Sequence, residues 1–184
     1  MSPTADDKEI MALFRKPDSK ERAFSLLVRT YQEKLYWHVR RMVVQHEDAN
    51  DVIQNIFIKV WKGLDNFRED SQMYTWLYKI ATNESLTFLD QKKKRATLSF
   101  DAKGGVDLSD SIKADKDFDA RKLEWKLQLA IQQLPEKQRV VFNLRYYDEM
   151  PYQMMSKVLD TSEGALKASY HHAVKKIEDF ILNH

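Results

Sequence analysis

Apolar residues recur along this chain with helical spacing and almost never alternate as a strand would require. Phe24, Leu27, Val28, Tyr31, Leu35 and Val39 make one stripe, and Ile53, Ile56, Phe57, Val60, Trp61 and Leu64 make a second at i, i+3, i+4, i+7, i+8 and i+11. Asp48 and Asp51 lie at the head of that second stripe, where the partial positive charge of a helix start favours anions and Asp48 predicts an N-cap. Further on, Leu123, Leu127, Ala130, Ile131 and Leu134 predict a helix that stops at Pro135. Val140, Val141, Leu144 and Arg145 predict the next. Four glycines and four prolines in 184 residues leave few breaks, so the pattern predicts an all-α chain.

Near the C-terminus, Tyr152, Met155 and Val158 mark the buried side of a short helix opened by Pro151, a residue that needs no donor in a first turn. Leu159, Asp160 and Thr161 supply a turn, and Ser162 can cap a following helix with Leu166, Tyr170, Ala173 and Ile177 on one face. Its other face carries Lys167, Ser169, His171, His172, Lys175 and Lys176. A helix that is apolar inward and cationic or hydrogen-bonding outward suits the major groove, so the segment predicts a helix-turn-helix. A plain helical hairpin would share those stripes.

Net charge is only +2, but its distribution is uneven. Residues 91–95 hold four cations and no anion, whereas residues 98–119 hold six Asp against three Lys, with Gly104 and Gly105 and no helical period. The second stretch predicts a flexible acidic linker. The organisation that follows is an N-terminal extension and start of the first helix at 1–22, a helical domain at 23–95, the linker at 96–117, and a second helical domain with the helix-turn-helix at 118–184. The absence of cysteine removes disulfides and thiolate metal sites and fits a reducing compartment. No apolar run approaches a membrane span, and the polar N-terminus does not read as a signal peptide, so the expected location is cytoplasmic, without membrane insertion.

The segment Met73–Arg95 concentrates the remaining chemistry. Tyr74, Trp76 and Tyr78 precede a Thr-Asn-Glu-Ser stretch containing Asn83, and Lys92, Lys93, Lys94 and Arg95 follow. Aromatic rings stack on unpaired bases, an Asn side chain can hydrogen-bond a base edge, and cations neutralise phosphates. Trp76, Leu77, Ile80 and Leu86 would equally serve as ordinary core residues of an amphipathic helix.

Residues 48–67 (DANDVIQNIFIKVWKGLDNF), 74–89 (YTWLYKIATNESLTFL), 134–159 and 164–177 (GALKASYHHAVKKI) together resemble, in order and spacing, bacterial RNA polymerase sigma factors of the extracytoplasmic-function class. The resemblance covers nearly the whole chain. It implies an initiation subunit that partners core RNA polymerase and promoter DNA, with one domain for the minus-10 element and one for minus-35, no cofactor, and an anti-sigma factor as a further possible partner. Under it, Asp48, Asp51, Gln54 and Asn55 fall on the polymerase-binding helix, Tyr74, Trp76, Asn83 and Lys92 to Arg95 on the minus-10 surface, and Ser162, Lys167, Ser169, His171, His172, Lys175 and Lys176 on minus-35 recognition. Three positions depart from the family pattern: Asn55 where Glu is usual, Ser169 where Arg is usual, and Asp160 where the turn usually has Gly.

Two rivals need less of the chain. One is a stand-alone duplex-DNA regulator, and the other a helical adaptor that binds proteins alone. Neither requires aromatics beside an Asn and a basic run. His171 and His172 project about 100° apart on a helix, and His38 and His46 lack a carboxylate at ligand spacing, so no catalytic or metal constellation competes. About 23 residues between Lys94 and Phe118 could reach roughly 75 Å at ~3.3 Å each. That matches the ~70 Å of two duplex turns.

Overall fold

The computed structural model describes residues 5–16, 18–67, 72–98 and 122–183. The linker assigned from composition therefore lies almost wholly outside the described residues, as does the side chain of Leu123. Helix α1 spans Ala5–Phe14, α2 Lys20–Val43 and α3 His46–Gly63, the last running into a 3-10 turn at Leu64–Asn66. Helix α4 spans Met73–Leu98, α5 Lys122–Gln133, α6 Glu136–Tyr146, α7 Tyr152–Leu159 and α8 Glu163–Asn183. No strand occurs among the described residues.

The first four helices pack around Leu27, Tyr31, Leu35, Val39, Val52, Ile56, Val60, Leu64, Leu77 and Ala81, all buried. Each large aliphatic side chain so enclosed contributes on the order of 1.5–3 kcal/mol relative to exposure. The predicted stripes of α2 and α3 thus supply the core, except that Val28 and Trp61 are half-buried and lie outside it, Trp61 packing on the ring of Phe24. Helix α1 was not visible in the periodicity, because Ile10, Met11 and Phe14 are too few to mark a stripe in a polar segment. It docks through fully buried Ile10 and through the Tyr31 hydroxyl, which donates to the Asp7 carboxylate.

The corner between α2 and α3 is tight. Val44 takes φ 71°, an unfavourable conformation for a β-branched residue, and its N–H bonds Arg40 O at 2.9 Å. Burial of Val44 in the core over-determines that strain. The N-cap of α3 is Gln45, not Asp48; Asp48 lies inside the first turn, still favourably placed near the positive end of the helix.

In the second half, Ala130, Ile131, Leu134, Phe142, Ala173 and Ile177 form their own small core. Helix α6 faces two ways. Arg139 to Leu144 are all buried, with Phe142 in the second core while Val140, Val141 and Leu144 join the first. Met154, Met155 and Val158 of α7 also enter the first cluster. The two halves therefore pack against one another along α2 and α4 on one side and α6 and α7 on the other.

Candidate polymerase and nucleic-acid interfaces

Burying the stripe of α3 leaves Asp51, Gln54, Asn55, Ile58, Lys59 and Lys62 exposed on one outer face. Ile58 is 46% exposed, an apolar centre within a polar surround, as protein-binding patches often show. Lys59 pairs with Glu84 of α4 at 2.5 Å. Asp48 differs from its three neighbours on the polymerase-binding assignment. It is half-buried and accepts from Lys92 Nζ at 2.6 Å, which also donates to Gln45 Oε1 at 2.9 Å.

Helix α4 separates the three aromatics that sequence placed together. Tyr74 and Tyr78 stand one turn apart and their rings meet at 4.3 Å. Trp76 points to the other side of the helix, half-buried, with its ring 4.9 Å from that of Phe67. Its indole also lies on the backbone of Gly63: a Cβ there would sit 3.1 Å from Trp76 Cζ2. A glycine at the end of α3 lets α4 approach closely enough for that contact. Asn83, two turns beyond Trp76 on the same side, is exposed, while fully buried Thr82 and Ser85 flank it. Ser85 donates to Ala81 O at 2.8 Å, a satisfied turn inside the helix.

Burial pushes the Tyr74 phenol up to about 12. The Tyr78 phenol is pushed higher still, first by burial and then by the nearby Asp148 carboxylate. Both remain O–H donors at neutral pH. Lys92, Lys93 and Lys94 are solvated at their tips yet paired, with Asp48, with Glu136 at 2.8 Å and with Asp90 at 2.8 Å. Arg95 is also exposed.

The helix-turn-helix forms as predicted. Asp160 closes α7 at φ 48° and ψ 44°, so the left-handed turn is made without glycine, at a cost of about 1 kcal/mol. Thr161 Oγ1 donates to Leu159 O at 2.9 Å, and Ser162 Oγ accepts the Ala165 N–H at 3.3 Å, capping α8. Leu166, Ala173 and Ile177 are buried, whereas Lys167, His171, His172, Lys175 and Lys176 share the outer face. Ser169 is half-buried at its edge. Lys167 Nζ lies 5.7 Å above the Tyr152 ring, whose neighbourhood also holds the Arg145 guanidinium at 5.4 Å. Arg145, absent from the sequence-derived DNA set, thereby adds a cation at the mouth of the motif.

The profile of the family described as Sigma-70 region 2 matches residues 27–95, and that of Sigma-70, region 4 matches residues 124–177. The RNA polymerase sigma-H factor of Pseudomonas aeruginosa is 31% identical over 179 residues, 94% of this chain and 92% of that protein. The ECF RNA polymerase sigma-E factor of Escherichia coli is 31% identical over 189 aligned residues, 97% of this chain and 96% of that protein. Among solved structures, sigma factor RpoE in complex with the anti-sigma factor NepR from Bartonella quintana aligns with TM-score 0.70 at 18% identity, covering 86% of this chain and 96% of that one. CnrH in complex with the cytosolic domain of CnrY gives 0.68 at 21%, covering 96% and 97%.

This chain belongs to the extracytoplasmic-function class of the sigma-70 family. Its function is that of the class: it directs core RNA polymerase to promoters for transcription initiation. A match through both regions decides against the stand-alone regulator and the adaptor. Among the described residues no helix is long and apolar enough to cross a membrane.

Proposed function

We propose that three surfaces divide the work of initiation, acting in the cytoplasm by binding alone and without catalysis. The outer face of α3, with Asp51, Gln54 and Asn55 around Ile58, docks on core polymerase, and Asp48 supports it from the first turn. The Asn83 side of α4 receives an extruded minus-10 base, with Trp76 bracing it and Lys92, Lys93, Lys94 and Arg95 along the strand, while Tyr74 offers a stacking ring on the opposite side of the helix. Helix α8 reads the minus-35 duplex through Lys167, His171 and His172, with Ser162, Ser169, Lys175 and Lys176 at the backbone.

The observation that carries this reading is the outer face of α8. Five hydrogen-bonding or cationic side chains stand together in solvent on the second helix of a capped helix-turn-helix. A sequestering protein partner is part of the proposal, supported by the RpoE relative solved with an anti-sigma factor. Run-off transcription with core polymerase on genomic fragments tests the whole. Transcripts that start at random, or only without this chain, would end it.

Two substitutions probe the surfaces separately. Asp51→Arg places a cation where a basic clamp surface is expected and should weaken core binding about tenfold, with an unchanged thermal midpoint because the residue is exposed. Equal core affinity for both proteins removes the α3 assignment. On α8, Lys167→Ala or His172→Ala should reduce discrimination between promoter and random duplex by ~1–3 kcal/mol. Lys175→Ala or Lys176→Ala should instead weaken both alike and lower the salt slope by roughly 0.9 each. Four identical profiles in a fluorescence anisotropy titration would mean that α8 does not read bases.

A further inference from the structure

Two of the five histidines, His171 and His172, stand side by side on the helix assigned to the minus-35 duplex. Buried Leu166, Ala173 and Ile177 fix the inner line of α8, so the opposite line runs through exposed Ala168 and Lys175. At about 100° per residue the two histidines flank that outer line, roughly 50° to either side. Both are exposed, with ring centroids 6.0 Å apart and planes inclined at 55°. Ala168, one turn before His172, is too short to shield either ring.

The charge around the two rings is cationic. Lys167 and Lys175 stand one turn before and after His171, and Lys176 one turn after His172. Glu163 lies at the start of the helix, and Glu178 and Asp179 follow on the same sides as the rings seven residues on, about 10 Å along the axis, where salt screens exposed charges. Toward α7, Lys167 Nζ lies 5.7 Å from the Tyr152 ring with Arg145 on the same ring, and Lys157 is exposed. Toward α6, Lys176 donates to Gln138 Oε1 at 3.0 Å, Lys137 is exposed, and Arg139 turns to Gln132. The acids of those two helices are engaged with the first half, Asp160 on Lys79 and Glu136 on Lys93. Helix α5, with Glu124 and Lys126, covers the inner line instead. Among the described residues neither imidazole has a carboxylate at ion-pair distance.

A proton on either ring therefore adds like charge to a row of lysines, and a duplex supplies the opposite charge. An imidazole is the side chain whose charge ordinarily changes between about pH 5 and 8. Neutral, it offers one donor and one acceptor; protonated, it offers two donors and a positive charge. The walls of a major groove present phosphate oxygens, and its floor adds purine N7 and guanine O6, all acceptors. Rings that diverge to both sides of the outer line of a helix seated in that groove, about 12 Å wide, meet one wall each.

We propose that minus-35 binding is proton-linked: His171 and His172 take up protons as α8 enters the duplex, one toward each wall of the groove, so that pH tunes promoter affinity. The inference rests on the assignment of α8 to the minus-35 duplex. Its sign follows from the charge. Groups protonated more readily in the complex than in the free chain contribute affinity that is fully present at low pH and is lost as pH rises through the imidazole range. Acceptors and phosphates at contact distance favour the charged form enough for each imidazole to weaken binding about fivefold from pH 6 to pH 8, and the two together about 25-fold.

The test uses holoenzyme assembled with the full chain and, as probe, a duplex carrying the upstream region of a promoter mapped by run-off transcription. Anisotropy titrations from pH 6 to pH 8 at constant ionic strength give the affinity, and calorimetry in two buffers of different ionisation enthalpy counts the protons taken up. His171→Gln with His172→Gln keeps hydrogen-bonding capacity without a titrating charge and leaves His38, His46 and His184 in place. His171→Arg with His172→Arg fixes the charge at every pH. Both positions are exposed, and a cooperative melt shared with the parent shows that the variants are folded. Between pH 6 and pH 8 the parent should lose about 25-fold more affinity than either pair of substitutions, and near pH 7 it should take up about one proton more than the glutamine pair.

Parallel pH profiles for the parent and the glutamine pair, with equal proton uptake, overturn the inference. If Lys175→Ala lowers the salt slope in the same assay while those profiles stay parallel, α8 lies on the duplex and only the proton linkage falls. An arginine pair as pH-dependent as the parent overturns it too, because the titrating group then lies elsewhere. If neither Lys175→Ala nor the glutamine pair alters binding at any pH, α8 is off the duplex, and the minus-35 assignment falls together with the inference.

Discussion

Trp76→Ala is expected to destabilise the first domain by about 3 kcal/mol, lowering its thermal midpoint by roughly 10 °C or more. The indole fills the space between Phe67 and the backbone of Gly63. Truncation therefore loses both transfer energy and packing contacts. Trp76→Phe keeps part of that contact and should cost about 1 kcal/mol. Circular dichroism melts decide this. An alanine variant that melts with the parent would show the ring to be dispensable for the fold. Its defect in strand opening could then be read directly as a lost base contact. Asn83→Ala is the clean probe of the same surface, because Asn83 is exposed and its removal leaves the core intact. Holoenzyme with this change should open duplex promoters poorly and alter preference at one base, read by permanganate footprinting.

A second large effect is expected from replacing Lys92, Lys93, Lys94 and Arg95 together with glutamine. Four phosphate contacts contribute a salt slope of roughly 2.8 on single strands to 3.6 on duplex. Between 50 and 200 mM salt, affinity of the parent holoenzyme for fork-junction DNA should therefore fall about 50- to 150-fold more than that of the variant. The partners seen in the free chain temper the gain. Lys92, Lys93 and Lys94 exchange carboxylates for phosphates rather than bare solvent, but such exposed pairs are each worth only about 0–1 kcal/mol. Parallel salt slopes for the two proteins would remove the basic run from the DNA path.

Much of the molecule is legible in its residue order because helices are local. The stripes of α2, α3 and α8 sort inward and outward residues at 3.6 per turn, and that of α8 predicted its solvent face apart from half-buried Ser169. Asp160, Thr161 and Ser162 likewise announce their turn through short-range hydrogen bonding. Other features escaped local reading. Gln45 caps α3 because the corner at Val44 decides where the helix can begin, and that corner depends on burial against the core. Trp76 and Tyr74 lie on opposite sides of α4, a division that follows from the helical period but gains meaning only from what each side touches.

The order of residues alone thus determined the all-α class, the two-part organisation, the helix-turn-helix and the family resemblance, since each rests on periodicity, capping or spacing within a few turns. Tertiary structure decided the contacts between segments distant in sequence. His38 and Asp148 are 110 residues apart, and no pattern near either one announces their meeting. Helix α6 comes closest to a signal, because consecutive Val140, Val141 and Phe142 with Leu144 spread apolar side chains wider than one covered face requires, although buried Arg139 and Asn143 interrupt the pattern. The second surface covering it is the first domain, and that pairing depends on how two separately formed cores fit together.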